Sequence, residues 1–200
     1  MSRMMLCGAV SWLVLGSPAA GRADDAEDRA VAFVEKLKGK VTRDDKLPGK
    51  PVVGVSLSGT PVTDADLKEL APLKNFTTLD LKIVDVTDAG LKELAPLKNL
   101  TSLTLGSFKI TDAGLKELAP LKNLTSLELF LTDVTDVGLK ELAPLKHLTT
   151  LKLLFTQVTD TGLKELAPLK NLTTLELPRG VTDAGVAELQ KAMPKCKISR

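Results

Sequence analysis

Aspartate recurs at one fixed place along this chain, as Asp64, Asp88, Asp112, Asp136, Asp160 and Asp183, and a column of carboxylates is the first feature that could do chemistry. Stacked carboxylates could bind calcium, but calcium-binding repeats interleave Asp with Gly so that several oxygens converge on one ion. Each Asp here stands alone at the head of a helical phrase such as AGLKEL, where the free N–H groups of a helix start need an acceptor. The column is expected to cap helices, with no metal implied. Asn75, Asn99, Asn123 and Asn171 each open an Asn-x-Thr triplet of the kind that accepts N-linked sugar. All four fall at the same turn-to-strand step, so they are expected to serve the repeat. His147 holds that step in the remaining copy with no second ligand or acid/base partner, and reads as a neutral replacement. Cys196 has no His in its own stretch and lacks the base that a thiol nucleophile needs. No Gly-rich phosphate loop, HExxH or CxxC occurs. With no nucleophile, base and electrophile converging, the expectation is a protein that is not an enzyme and takes no cofactor.

The elements that carry these residues repeat. VTDADLKELAPLKNFTTLDL returns as VTDAGLKELAPLKNLTSLTL and three further variants, and Val62, Val86, Ile110, Val134 and Val158 lie 24 residues apart. A fixed period of this size marks a solenoid. In the copy from Val86 to Lys109, Leu91, Leu94 and Leu97 recur at helical spacing. Pro96 discourages further helix, and Asn99 follows as a residue that tolerates the left-handed turn conformation. Leu103, Thr104 and Leu105 then alternate as a β-strand. One helix and one strand cannot bury their leucines alone, so the copies must stack into parallel strands around a continuous core.

Leu124-Thr-Ser-Leu127-Glu-Leu129-Phe-Leu-Thr132-Asp-Val134 resembles the LxxLxLxxNxL core of leucine-rich repeat proteins, with Thr132 in the customary Asn place, and Leu148 to Val158 fits likewise with Thr156 there. The resemblance implies an α/β leucine-rich repeat solenoid, a curved right-handed coil with one parallel strand and one short helix per repeat. The phrase VTDAGLKEL is similar to the helical half of the cysteine-containing subclass, although this chain lacks the subclass cysteines and has shorter repeats. Members of the family are usually protein-binding scaffolds. The subclass often recruits substrates to ubiquitin ligases, a role that the absence of an F-box-like segment and the N-terminal leader argue against.

Residues 1–23 read as a secretory leader: Arg3, an apolar stretch from Met4 to Leu15 too short to span a bilayer, and small residues before DDAED, with cleavage after Ala23 or Ala19. An exported protein, periplasmic or extracellular, with no stable membrane span after cleavage is expected. The formal charge is +2, from 27 basic and 25 acidic residues, and cleavage after Ala23 would remove Arg3 and Arg22 and leave a neutral chain. With Lys and Glu alternating as LKEL, no single-signed face is available for nucleic acid. Cys7 would leave with the leader, so Cys196 would have no disulfide partner. The divisions expected are the leader, an N-terminal capping helix and connector over 24–51, repeats over 52–180 and a capping repeat over 181–200.

Positions that repeat unchanged serve the coil, and positions that vary are free for recognition. The varying ones flank the strand leucines. Ser56, Asp80, Thr104, Glu128, Lys152 and Glu176 form one column on the concave face; Ser58, Lys82, Gly106, Phe130, Leu154 and Pro178 form the next, and Gly59, Ile83, Ser107, Leu131, Phe155 and Arg179 a third. Phe130, Leu131, Leu154 and Phe155 stand together where other copies carry Ser, Gly or Lys. Rimmed by Asp80, Glu128, Lys152 and Glu176, they are expected to anchor a protein partner or a cell-envelope polymer. Two other readings stay open: one residue of each pair folds inward and merely packs, or the protein is a structural, self-associating component of the envelope.

Overall fold

The computed structural model describes residues 21–200, with side chains described from residue 25 onward. The leader expected over 1–23, Cys7 included, lies outside the described residues but for its last three. Helix α1 (Gly21–Lys36) leads into a single sheet of eight strands in sequential order: β1 (Lys40–Arg43), β2 (Val52–Ser56), β3 (Thr78–Lys82), β4 (Ser102–Gly106), β5 (Ser126–Phe130), β6 (Thr150–Leu154), β7 (Thr174–Glu176) and β8 (Lys197–Ser199). β1 pairs antiparallel with β2 and all later pairs are parallel.

A 24-residue period puts identical positions side by side. Leu79, Leu103, Leu127 and Leu151 face one another across neighbouring strands, as do Leu81, Leu105, Leu129 and Leu153, and all eight are buried. The helical halves stack behind them. α2 (Asp88–Leu91), α3 (Asp112–Leu115) and α4 (Asp136–Leu139) are single turns that tighten into 3-10 helix over the following KEL, while Asp64–Leu70 and Asp160–Leu166 are 3-10 throughout. The three-residue spacing of Leu91, Leu94 and Leu97 is the period of a 3-10 helix, which eclipses residues i and i+3 and so turns all three leucines inward. Each buried Leu contributes about 1.5–3 kcal/mol by transfer, against an ordering cost of about 1–2 kcal/mol per residue of backbone. Only a stack of coils closes that gap. At the ends, α1 buries Ala30, Val31 and Val34, while α5 (Asp183–Ala192) and β8 bury Leu189, Met193 and Cys196.

The aspartate column does not cap helices. The cap is the preceding threonine: Thr87 has extended backbone and its Oγ1 accepts from Ala89 N at 3.1 Å, a bond repeated at Thr111, Thr135 and Thr159. Each Asp is the first helical residue and points to the next coil. Asp64 Oδ1 accepts from Thr87 N at 2.7 Å and its Oδ2 accepts from Thr87 Oγ1 at 2.6 Å. Asp88 binds Thr111, Asp112 binds Thr135, Asp136 binds Thr159 and Asp160 binds Thr182 in the same bidentate way. Each threonine hydroxyl thus donates to the carboxylate behind it and accepts from the amide ahead, which ties every helix cap to the previous coil. The glycine that follows makes room: a Cβ on Gly138 would overlap Asp112 Oδ1 and lie 3.0 Å from its Cγ.

The ladder closes on itself at both ends. In the first coil, with no earlier aspartate, the repeat's Gly is replaced by Asp66, whose Oδ2 accepts from Thr63 N at 2.9 Å and from Thr63 Oγ1 at 2.7 Å. In the last, Asp183 is met by Arg200 Nη2, and Arg200 Nη1 donates to Val181 O at 2.7 Å. The hydroxyl and amide of Thr182 hold the Asp160 carboxyl below its ordinary range. A depressed carboxylate stabilises the fold at pH values above its unfolded pKa and loses that contribution as pH falls through the folded one. Below about pH 4, the wild type should therefore lose stability more steeply than Asp160→Asn, as followed by urea unfolding at stepped pH; parallel curves would deny the tie a role.

The turn-to-strand step makes no use of the tolerance of asparagine for left-handed backbone. Asn99 is not left-handed; its Nδ2 donates to Lys74 O at 2.8 Å, and Asn123 and Asn171 donate to Lys98 O and Lys146 O in the same way. The sequon threonines work in parallel, Thr125 Oγ1 donating to Thr101 O at 3.0 Å and Thr173 Oγ1 to Thr149 O at 3.1 Å. His147 makes no bond of the asparagine kind and lies exposed in the row between Asn123 and Asn171.

Candidate functional site

Strand side chains alternate, so the leucines of β3 to β6 point into the core and leave three outward columns. Thr78, Ser102, Ser126, Thr150 and Thr174 form a hydroxyl column. Next come Asp80, Thr104, Glu128, Lys152 and Glu176, which lie opposite one another in register. Lys82, Gly106, Phe130 and Leu154 end the strands, and the chain then turns through Ile83, Ser107, Leu131 and Phe155. Phe130, Leu131 and Leu154 are half-buried and Phe155 is 61 % exposed. No member of either pair folds into the core, which Leu129 and Leu153 already fill.

The four apolar residues are brought together. The Phe130 and Phe155 rings meet edge to face with centroids 5.4 Å apart, a favoured geometry for the ring quadrupoles. Their charged neighbours are largely paired within the chain. Lys152 Nζ lies 2.9 Å from Glu176 Oε1, and that hydrogen bond, helped by the charges of Glu176 and Glu128 against partial burial, raises the Lys152 ammonium above its ordinary range. Lys82 Nζ lies 2.9 Å from Glu128 Oε1 and 5.9 Å from the centre of the Phe130 ring. Lys82 and Glu128 belong to coils two apart, and the reach is possible because Gly106 between them has no side chain. A Cβ there would lie 2.9 Å from Lys82 Cα. Asp80 accepts from Ser56 Oγ and from Lys82 N but has no ion-pair partner among the described residues.

Two apolar residues belong to this surface that the sequence does not single out. Ile83 is 68 % and Phe108 is 70 % exposed, and with Gly106 and Leu131 they line one groove of about 370 Å³. Ile83 did stand in the third column, flanked by Gly59 and Ser107; Phe108 holds the Asn place of the repeat, which other copies turn inward. Asp85 and Lys109, also on the groove, pair with each other. Thr132, in the same Asn place, is buried and its hydroxyl makes no hydrogen bond.

The backbone at the corner is strained. Ile83, Leu131 and Phe155 have φ of 54°, 52° and 57°, a left-handed conformation that costs an L-residue about 1–2 kcal/mol and suits glycine, as at Gly59. Ile83 is β-branched and projects into solvent, so it recovers little by packing. Ile83→Gly should raise the unfolding free energy by about 1 kcal/mol, read from the urea midpoint. A fall in the midpoint would mean that the exposed side chain stabilises the fold.

The remaining candidates stay apart from this surface. Burial pushes the Cys196 thiol up, away from the thiolate a nucleophile requires. Among the described residues, no three of His, Cys, Asp and Glu converge as metal ligands, and no helix is long and apolar enough to cross a membrane.

A family model described as Leucine Rich repeat matches residues 121–143 and 145–167, which are coils of this ladder. No curated protein matches the sequence. Among solved structures, the chain is similar to an internalin (inlF) from Listeria monocytogenes, at 20% identity and a TM-score of 0.54 over 94% of this chain. It spans 59% of that internalin's length. A plant peptide hormone receptor, RGFR1 in complex with RGF2, aligns over 66% of this chain and 22% of its own at 16% identity, with a TM-score of 0.43. Stacked coils of leucine in register, one parallel strand and one short helix to each, together with the repeat model that fits two of them, give this chain the α/β solenoid fold of leucine-rich repeat proteins.

Proposed function

We propose that this protein is an exported, non-enzymatic scaffold that captures a protein partner on its strand face. Phe130, Leu131, Leu154 and Phe155 are the anchors, Asp80, Glu128, Lys152 and Glu176 form the charged rim, and Ile83 and Phe108 extend the apolar strip. The divisions of the chain follow the expected leader over 1–23, cap over 24–51, repeats over 52–180 and closing repeat over 181–200. One observation carries the reading: apolar side chains are held in solvent on left-handed backbone at Ile83 and Phe155. Glycine would be cheaper there, and exposed apolar surface that costs stability is what a binding site retains. The likeness of fold to the internalin supports a solenoid that offers its strand face to a partner.

The test is a double variant, Phe130→Ser with Phe155→Ser, in the mature chain. Cross-linking in an envelope extract should yield a defined partner with the wild type and none with the variant, while the thermal midpoint moves by no more than about 3 °C. Undiminished capture by the variant would place the site elsewhere. Sedimentation equilibrium of the purified chain separates the self-associating alternative, which requires a concentration-dependent dimer that the same substitutions dissolve.

A further inference from the structure

Resting on that reading, we infer that the partner segment is a single amphipathic α-helix lying along the solenoid axis, its N-terminus at Asp80 and its C-terminus at Arg179. The apolar strip crosses the strands. It takes Ile83 from the second coil, Phe108 from the third, Phe130 and Leu131 from the fourth, and Leu154 and Phe155 from the fifth. Neighbouring coils are spaced by the strand separation of about 4.8 Å. An α-helix returns to one face about every 5.4 Å, a mismatch of about 0.6 Å per coil, whereas an extended peptide returns about every 6.6 Å and loses register within two coils. From Ile83 to Arg179 is four coil spacings, about 19 Å, which about 13 helical residues span.

Charge supplies the polarity. Lys82, Glu128, Lys152, Glu176, Asp85 and Lys109 are cancelled in pairs within the chain, so the middle of the strip favours a neutral, apolar face. Asp133, exposed beside it, accepts from the neutral amide of Gln157 and keeps its charge at the margin of the strip. Two charges at opposite ends have no ion-pair partner among the described residues: Asp80 in the second coil and the exposed Arg179 in the sixth. A carboxylate at one end and a guanidinium at the other match the positive N-terminus and negative C-terminus of a helix macrodipole.

The test uses two 14-residue peptides of identical neutral composition with free termini, one with Leu and Phe at helical three- and four-residue spacing, the other with strict alternation. Fluorescence anisotropy with the mature chain should give the helical peptide at least tenfold tighter binding, lost in the Phe130→Ser, Phe155→Ser variant. A spin label on its N-terminus should broaden signals around Ile83, and one on its C-terminus signals around Arg179. If the alternating peptide binds as well or better and depends on the same two phenylalanines, the strip remains a binding site and the helical partner is overturned. Reversed broadening overturns the polarity. If neither peptide binds, or binding ignores Phe130 and Phe155, the helix and the strip reading fall together.

Discussion

Gly138→Ala should destabilise the protein by about 2–3 kcal/mol, although the same exchange in an unconstrained helix stabilises by about 1 kcal/mol. The sign reverses because of the coil behind. A new Cβ at residue 138 takes the place of Asp112 Oδ1 and lies 3.2 Å from Asp112 Cα, so the carboxylate must swing away and the backbone can yield little. Thr135 N and Thr135 Oγ1 then lose acceptors now at 2.8 and 2.7 Å. Charge-assisted bonds of this kind are worth about twice a neutral one. Asp112→Ala removes the same two bonds directly and should cost a similar amount. The double variant is the decisive member of the set: once the carboxylate is gone the methyl group has room, so it should cost no more than either single change. Urea unfolding of the four proteins would therefore show strong non-additivity. If the two losses simply add, the glycine and the aspartate act independently and the tie between coils is not what requires glycine.

This tie was not legible in the sequence, and the reason is physical. The leucine columns could be read because the periods of two and three residues that turn Leu103, Leu105, Leu91 and Leu94 inward are local to the chain. Asp112 and Thr135 are 23 residues apart, and within one coil Thr87 and Asp88 are adjacent, both able to cap. Only the distance to the next coil shows that threonine caps and aspartate reaches across. The role of Asn99 was hidden in the same way, its partner being a carbonyl in the preceding coil. The cluster of Phe130, Leu131, Leu154 and Phe155 stood out by comparison among copies, but its exposure depended on a corner where the left-handed residue turns its side chain outward. Ile83 stood in the third column but two coils away from the cluster, and Phe108 was missed because an apolar residue in the Asn place of a leucine-rich phrase looks like core until the corner is seen. Lys82 joins Glu128 only across the gap at Gly106.

A chain ending at Gly180 should fail to persist as a folded monomer, while an internal deletion of residues 110–133, four residues longer, should fold. The truncation removes α5 and β8. Val181, Leu189 and Met193 are buried there, worth about 5–9 kcal/mol by transfer as an upper bound, against a total of about 5–15 kcal/mol for an ordinary domain. It also cuts the Asp160–Thr182 tie and leaves β7 as an unpaired parallel edge with leucine behind it, a template for association with other copies. The internal deletion takes out one whole period and joins Lys109 to Val134, which repeats the Lys–hydrophobic–Thr–Asp step it replaces. Asp88 then meets Thr135 as it met Thr111, both ends stay closed by Asp66 and Arg200, and only one coil's worth of neighbour contacts is lost. Analytical ultracentrifugation and thermal unfolding should find the shortened solenoid monomeric and cooperative, with a lowered midpoint, and the truncated chain aggregated. A soluble truncated monomer with the wild-type midpoint would mean that the coils hold each other without a cap, and that the polar closure at Asp183 and Arg200 is not what ends the stack.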